Sequence, residues 1–170
     1  GAFQKLPIEA WHSKDKIFDR NEVARILRKV QHEKEAMVST VKKTTRDYAA
    51  PHPFDLTTLQ SESYALFGIT PKETLDIAQN LYLAGITSYP RTSSQQLDPK
   101  LGFAKILHAL SKQSDYEGHC KELLKLKELR PNNGKKTDPA HPAIFPTGIA
   151  PKTLKPKEKK IYDLIVKRYL

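Results

Sequence analysis

Apolar positions in the first fifty residues follow two different spacings. After Asp19, Val23, Ile26, Leu27 and Val30 fall at i, i+3, i+4 and i+7, one face of a helix, and Glu22 three residues after Asp19 fits a capping box. Around that helix the period shortens. Residues 3–12, with Phe3, Leu6, Ile8 and Trp11 roughly alternating and Pro7 arguing for an edge, read as a strand. Residues 36–48 are rich in β-branched types and end at Pro51-His52-Pro53, so they read as a second strand. Residues 1–50 are therefore predicted to form a strand–helix–strand segment.

Beyond residue 50 the pattern is helical. Thr57 precedes Gln60 by three, Leu59, Ser63, Leu66 and Phe67 share a face, and Gly68 can supply a left-handed terminus. The next helix has Thr70 as N-cap, Pro71 at N1, Glu73 at N3, Leu75, Ala78, Leu81 and Tyr82 inside, and Gly85 closing it. Ile86 to Tyr89 is a brief extended stretch, and residues 99–112 and 116–129 carry two further helical patterns. Residues 130–154 contain five prolines and an Asn-Asn-Gly turn, which forbids long regular structure; loops of this length are commonly functional or disordered. Helix resumes over 155–170, with Ile161, Leu164 and Ile165 together. The expected fold class is α+β, mainly helical.

The 170 residues suit one domain of ordinary size or one domain with an appendage. Lys+Arg 29 against Asp+Glu 19 leaves +10, which attracts polyanions, and the excess of Lys over Arg suits diffuse attraction to phosphate. One cysteine, Cys120, excludes an intrachain disulfide and a CxxC zinc cluster, so a reducing cytoplasm is expected. No apolar run approaches the roughly 20 residues that span a bilayer, so no membrane partner is expected. The chain lacks an initiator Met and stops on Leu170 inside a helical pattern, as expected of a piece of a longer protein.

There is no GxxxxGK loop, GxGxxG, HExxH or GxSxG, and no carboxylate cluster for two metals. What remains is Ser88-Tyr89-Pro90-Arg91-Thr92-Ser93-Ser94, just after the best-capped helix. In extended backbone Tyr89 and Arg91 point to one side. A cation beside the phenol would favour its ionised form and neutralise a bound phosphate, so the pair could attack a phosphodiester. Thr92, Ser93 and Ser94 add hydroxyls. Taken alone, these residues more often mark an ordinary half-buried aromatic and a surface cation. A second cluster, Asp138 to Gly148, holds His141 in a stiff loop flanked by prolines, where an imidazole can hydrogen-bond phosphate.

Together these stretches resemble the type IA DNA topoisomerases, most closely the archaeal topoisomerase I group. The match runs through Pro53 to Gln60, Thr74 to Tyr82, Tyr89 to Gln95 and Asp138 to Gly148, in family order. The resemblance implies that Tyr89 is a nucleophile forming a 5′-phosphotyrosine link to single-stranded DNA, that Arg91 holds the scissile phosphate and that His141 contacts backbone phosphate. Thr92, Ser93, Gln60 and Gln79 are further expected DNA contacts. Many family members carry an acidic residue where this chain has Ser93. The family's metal-binding toprim domain has no match here, so Mg2+ is expected on that absent part of the parent chain and no metal on this one. The resemblance further implies that residues 1–50 belong to the arch that hinges the gate and 51–170 to the tyrosine-bearing domain, with a winged-helix-like subdomain. The implied partners are DNA and the toprim domain, in a monomer of the nucleoid. This piece alone is expected to bind single-stranded DNA weakly and not to relax supercoils. The alternative is a non-catalytic single-stranded nucleic-acid-binding helical module in which Tyr89 stacks on a base.

Overall fold

A computed structural model describes residues 9–170. The chain divides into two units, Gly1–Asp47 and Tyr48–Leu170. In the first, helix α1 (Arg20–Val30) forms where the apolar period predicted it, with the Asp19 carboxylate accepting from Asn21 N–H at 2.8 Å. Glu22 does not complete the capping box; it pairs with Lys14 at 2.5 Å. The first expected strand lies largely outside the described residues, and residues 9–12 are exposed without strand structure. Residues 36–48 carry no strand either, and all are exposed. β-branched residues favour extended backbone, but a strand needs a paired neighbour to satisfy its N–H and C=O groups, and none lies alongside this stretch among the described residues. Among the described residues of this segment, helix α1 is the regular element of the strand–helix–strand expectation that forms.

The second unit is built on helices α2 (Leu56–Phe67), α3 (Pro71–Leu83) and α6 (Pro156–Tyr169), which pack on one another, with α4 (Phe103–Leu110) against α5 (Glu117–Leu123). Their shared core contains Leu59, Ile77, Leu81, Leu110, Ile161 and Ile165. α3 has the predicted ends: Thr70 Oγ1 accepts from Glu73 N–H at 3.3 Å, and Pro71 occupies the first turn. α2 starts two residues earlier than Thr57 suggested. Asp55 is its N-cap and Thr58 closes the reciprocal box, while Gly68 at φ +66° ends it in the left-handed conformation a glycine adopts without strain. The pattern over 99–112 resolves into a 3₁₀ turn and α4, and that over 116–129 into the shorter α5.

β pairing among the described residues is confined to two isolated antiparallel bridges, Phe54 to Ile144 and Thr87 to Pro146. The fold is thus mainly helical, as predicted, and no hairpin wing is present among these residues. Residues 130–154 are nonetheless tied down. Ile144 N–H donates to Phe54 C=O at 2.8 Å, Ala143 N–H to Gln96 C=O at 2.9 Å and Thr147 N–H to Ile86 C=O at 2.9 Å. Gly148, at φ +93°, ends this loop where an added Cβ would sit 2.7 Å from the Ala109 side chain on α4. Arg168 of α6 lies over the Phe54 ring at 4.0 Å, donates to His52 C=O and pairs with Glu62, fixing the segment that enters α2.

Candidate functional site

The two stretches singled out by sequence meet at the end of α3. Ser88 joins them on both sides: its N–H donates to Phe145 C=O and its hydroxyl accepts from Phe145 N–H, each at 2.9 Å. Pro90 is fully buried, so the Ser88 to Thr92 loop is anchored at its middle. The ring of Tyr89, half-buried, lies 4.6 Å from that of His141 at 48°. On its other flank Tyr82, from the last turn of α3, meets it edge-on at 5.2 Å and 71°.

Thr92 N–H donates to Pro90 C=O at 3.0 Å, closing a three-residue turn about Arg91 and presenting that side chain, exposed, at its tip. Arg91 has no ion pair among the described residues. The structure therefore brings Tyr89 against His141, and no hydrogen bond or ring contact among these residues joins it to Arg91.

Two of the expected DNA contacts have structural duties. Thr92 is 4% exposed; its hydroxyl donates to His141 C=O at 3.3 Å and accepts from Ser94 N–H at 3.0 Å, so it braces the loops and offers phosphate no free donor. Gln60 sits on α2, and its amide donates to Pro71 C=O at 2.9 Å, clasping α2 to the start of α3. Gln79, half-buried, lies one turn before Tyr82 on the same face of α3. Ser93 is exposed and faces Asp138.

Asp138 is the residue whose role the sequence reading missed. Its Oδ1 accepts from the N–H groups of Ala140 (2.9 Å) and His141 (3.1 Å), while Oδ2 lies 3.4 Å from both the N and the Oγ of Ser93. One carboxylate thus links the His141 turn to the Tyr89 loop. The N–H groups of Ala140 and His141 hold its carboxyl below the usual aspartate range. The signal was present as Asp-Pro-x-His, since an aspartate commonly accepts from N–H groups two and three residues on.

A second tie lies behind the site. Asp55, 2% exposed, accepts from Lys136 Nζ at 2.9 Å and Gln95 Nε2 at 3.2 Å besides capping α2. Burial alone would raise its pKa, but the hydrogen bonds from the Thr58 side chain and backbone and from Lys136 outweigh this and lower it. Beside His141 a groove of about 570 Å³ runs past Asp138, Thr137 and Asn133 to Lys100. No three His, Cys, Asp or Glu side chains cluster to hold a metal among the described residues. No helix there is long and apolar enough to cross a membrane.

A phenol flanked by an imidazole, with an exposed guanidinium two residues on and a polar groove alongside, is suited to a phosphodiester. Comparison with known proteins points the same way. The family model described as DNA topoisomerase matches residues 2–170. DNA topoisomerase 1 of Pyrococcus horikoshii is 48% identical over 161 residues, 94% of this chain and 23% of that protein. DNA topoisomerase 1 of Methanothermobacter thermautotrophicus is 49% identical over 163 residues, 96% of this chain and 22% of that protein. DNA topoisomerase 3 of Schizosaccharomyces pombe is 31% identical over 157 residues, 91% of this chain and 25% of that protein. The chain spans about a quarter of the length of these relatives.

Proposed function

This chain belongs to the type IA DNA topoisomerase family, and from that premise we propose that it carries the strand-cleaving tyrosine of an ATP-independent topoisomerase, Tyr89, acting on single-stranded segments of negatively supercoiled DNA. The observation that carries the proposal is the placement of the Tyr89 ring against His141, from a loop more than forty residues away in sequence. The phenol oxygen attacks the scissile phosphorus. As the new O–P bond forms, the bond to the 3′ oxygen breaks; the phenol gives up its proton and the 3′ oxygen leaves carrying one. The 5′-phosphotyrosine ester conserves the bond, and attack by the 3′-hydroxyl reverses the step without a nucleotide cofactor.

Arg91 neutralises the scissile phosphate from its exposed turn, and His141 donates to a neighbouring phosphate oxygen. The side chains among the described residues do not fit a bound Mg2+, and no step here runs through one. The rest of the reading is proposed on the same footing. Residues 1–50 are an arch segment and 51–170 the tyrosine-bearing domain, a division that the separation at Asp47/Tyr48 supports. Mg2+ belongs to a toprim domain elsewhere in the parent, which acts as a monomer at the nucleoid. This piece alone does not relax DNA, a view supported by its share of the relatives' length.

The test is relaxation of negatively supercoiled plasmid by the full-length protein with Mg2+, wild type against Tyr89→Phe, with denaturant trapping of covalent DNA. Loss of both in the variant, with single-stranded DNA binding retained, is expected. Relaxation by Tyr89→Phe at the wild-type rate removes the proposal.

A further inference from the structure

We propose that Tyr82 is the positioning residue for the Tyr89 phenol, holding the ring at its attacking angle by edge-to-face contact; this rests on the reading of Tyr89 as nucleophile. On that flank Tyr82 is the aromatic ring that meets it among the described residues. The Tyr89 hydroxyl makes no hydrogen bond among the described residues, and rotation about the bond to a tyrosine ring is intrinsically loose. Its orientation therefore depends on what touches it, and the His141 and Tyr82 rings flank it. The flanks differ in kind. His141 sits in an irregular loop, whereas Tyr82 projects from α3, a helix capped by Thr70 and seated in the core through Ile77, Ala78 and Leu81. The rigid element supplies the reference surface, and the phenol is registered against it.

The exposure of Tyr82 separates this role from folding. It is 39% exposed, although helical periodicity alone would have placed it among the core residues of α3. Its hydroxyl makes no hydrogen bond among the described residues, so the ring carries the contact. Tyr82 is not among the buried residues of α3, and its ring partner among the described residues is the proposed nucleophile. An edge-to-face pair of about 1 kcal/mol corresponds to roughly a fivefold rate effect when the contact is made in the attacking orientation of the ring and lost in the others.

The experiment measures single-turnover cleavage of an end-labelled single-stranded oligonucleotide by the full-length protein carrying Tyr82→Phe, Tyr82→Leu or Tyr82→Ala, with Leu83→Ala, exposed one residue further on, as control. Oligonucleotide affinity and the thermal midpoint are measured alongside. Tyr82→Phe and the control should match wild type. Leu and Ala at 82 should slow cleavage and rejoining at saturating DNA by roughly three- to tenfold, with affinity and midpoint unchanged. Wild-type cleavage by Tyr82→Ala overturns the proposal. So does weaker DNA binding with an unchanged saturated rate, which would make Tyr82 a base-stacking platform, and so does a Tyr82→Phe as slow as the alanine variant. Covalent adduct formed by Tyr89→Phe would instead sink the underlying reading, whatever Tyr82 does.

Discussion

Removing the Asp55 carboxylate tests how the site is held. This side chain caps α2 and reaches two loops at once, through Gln95 next to the Tyr89 stretch and Lys136 next to the His141 turn. Asp55→Ala deletes an N-cap, at about 1 kcal/mol, and charge-assisted hydrogen bonds at roughly 1.5–3 kcal/mol. Lys136 is 57% exposed and regains water, so its charge is not stranded and the full penalty of breaking a buried pair does not apply. The sum is about 3 kcal/mol. Asp55→Asn keeps the cap and loses the charge, and relief from burying a carboxylate offsets part of that loss, leaving about 1–2 kcal/mol. For a unit of this size each kcal/mol moves the thermal midpoint by about 4 °C, so the alanine variant should melt roughly 12 °C below wild type and the asparagine variant roughly half as far.

The pH dependence has a definite sign. The folded Asp55 pKa lies below its unfolded value, so its contribution is fully present above the unfolded value of about 3.9 and is lost as pH falls through the lower, folded one. Thermal unfolding followed by circular dichroism from pH 7 to pH 2 should show the Asp55→Asn difference shrinking at the acid end. Midpoints for both variants within 2 °C of wild type at pH 7 would refute this account of Asp55.

Other expectations follow from single contacts. Gly148→Ala meets both a positive φ and the Ala109 side chain, and urea unfolding should show a loss of about 2–4 kcal/mol. Asp138→Asn should reduce covalent trapping of DNA far more than it moves the unfolding midpoint, because it loosens the His141 turn without opening the core; equal loss of both would make it merely structural. Arg91→Ala should cut trapping while leaving the thermal midpoint unchanged, as expected of an exposed side chain. Affinity of the chain for single-stranded DNA should fall with salt at a log–log slope near −0.7 per phosphate contacted, checked by anisotropy titration.

Local features were legible where the chain decides locally. α3 could be read from Thr70, Pro71, Glu73 and Gly85 because both of its ends are set by neighbours in sequence. The start of α2 could not, because Thr57 with Gln60 matches the capping-box signature, whereas the box that forms joins Asp55 and Thr58. The choice falls to Asp55 together with Gln95 and Lys136, 40 and 81 residues on. The strand expected over 36–48 does not form for the complementary reason: propensity describes a residue's comfort in a sheet, and no sheet is offered to it among the described residues. In the candidate site, the Tyr89 and His141 stretches could be singled out from their motifs, and the structure brings those two rings together. That Tyr89 faces His141, that Thr92 is buried and that Tyr82 turns outward depend on how three segments are laced together, which no local period encodes.

The most direct measurement is to incubate the full-length protein with a labelled single-stranded oligonucleotide, trap the adduct with denaturant, digest protein and DNA, and identify the modified residue by mass spectrometry. The account predicts a nucleotide joined through its 5′ phosphate to Tyr89 and nowhere else. An adduct on another side chain, or one joined through a 3′ phosphate, would contradict it.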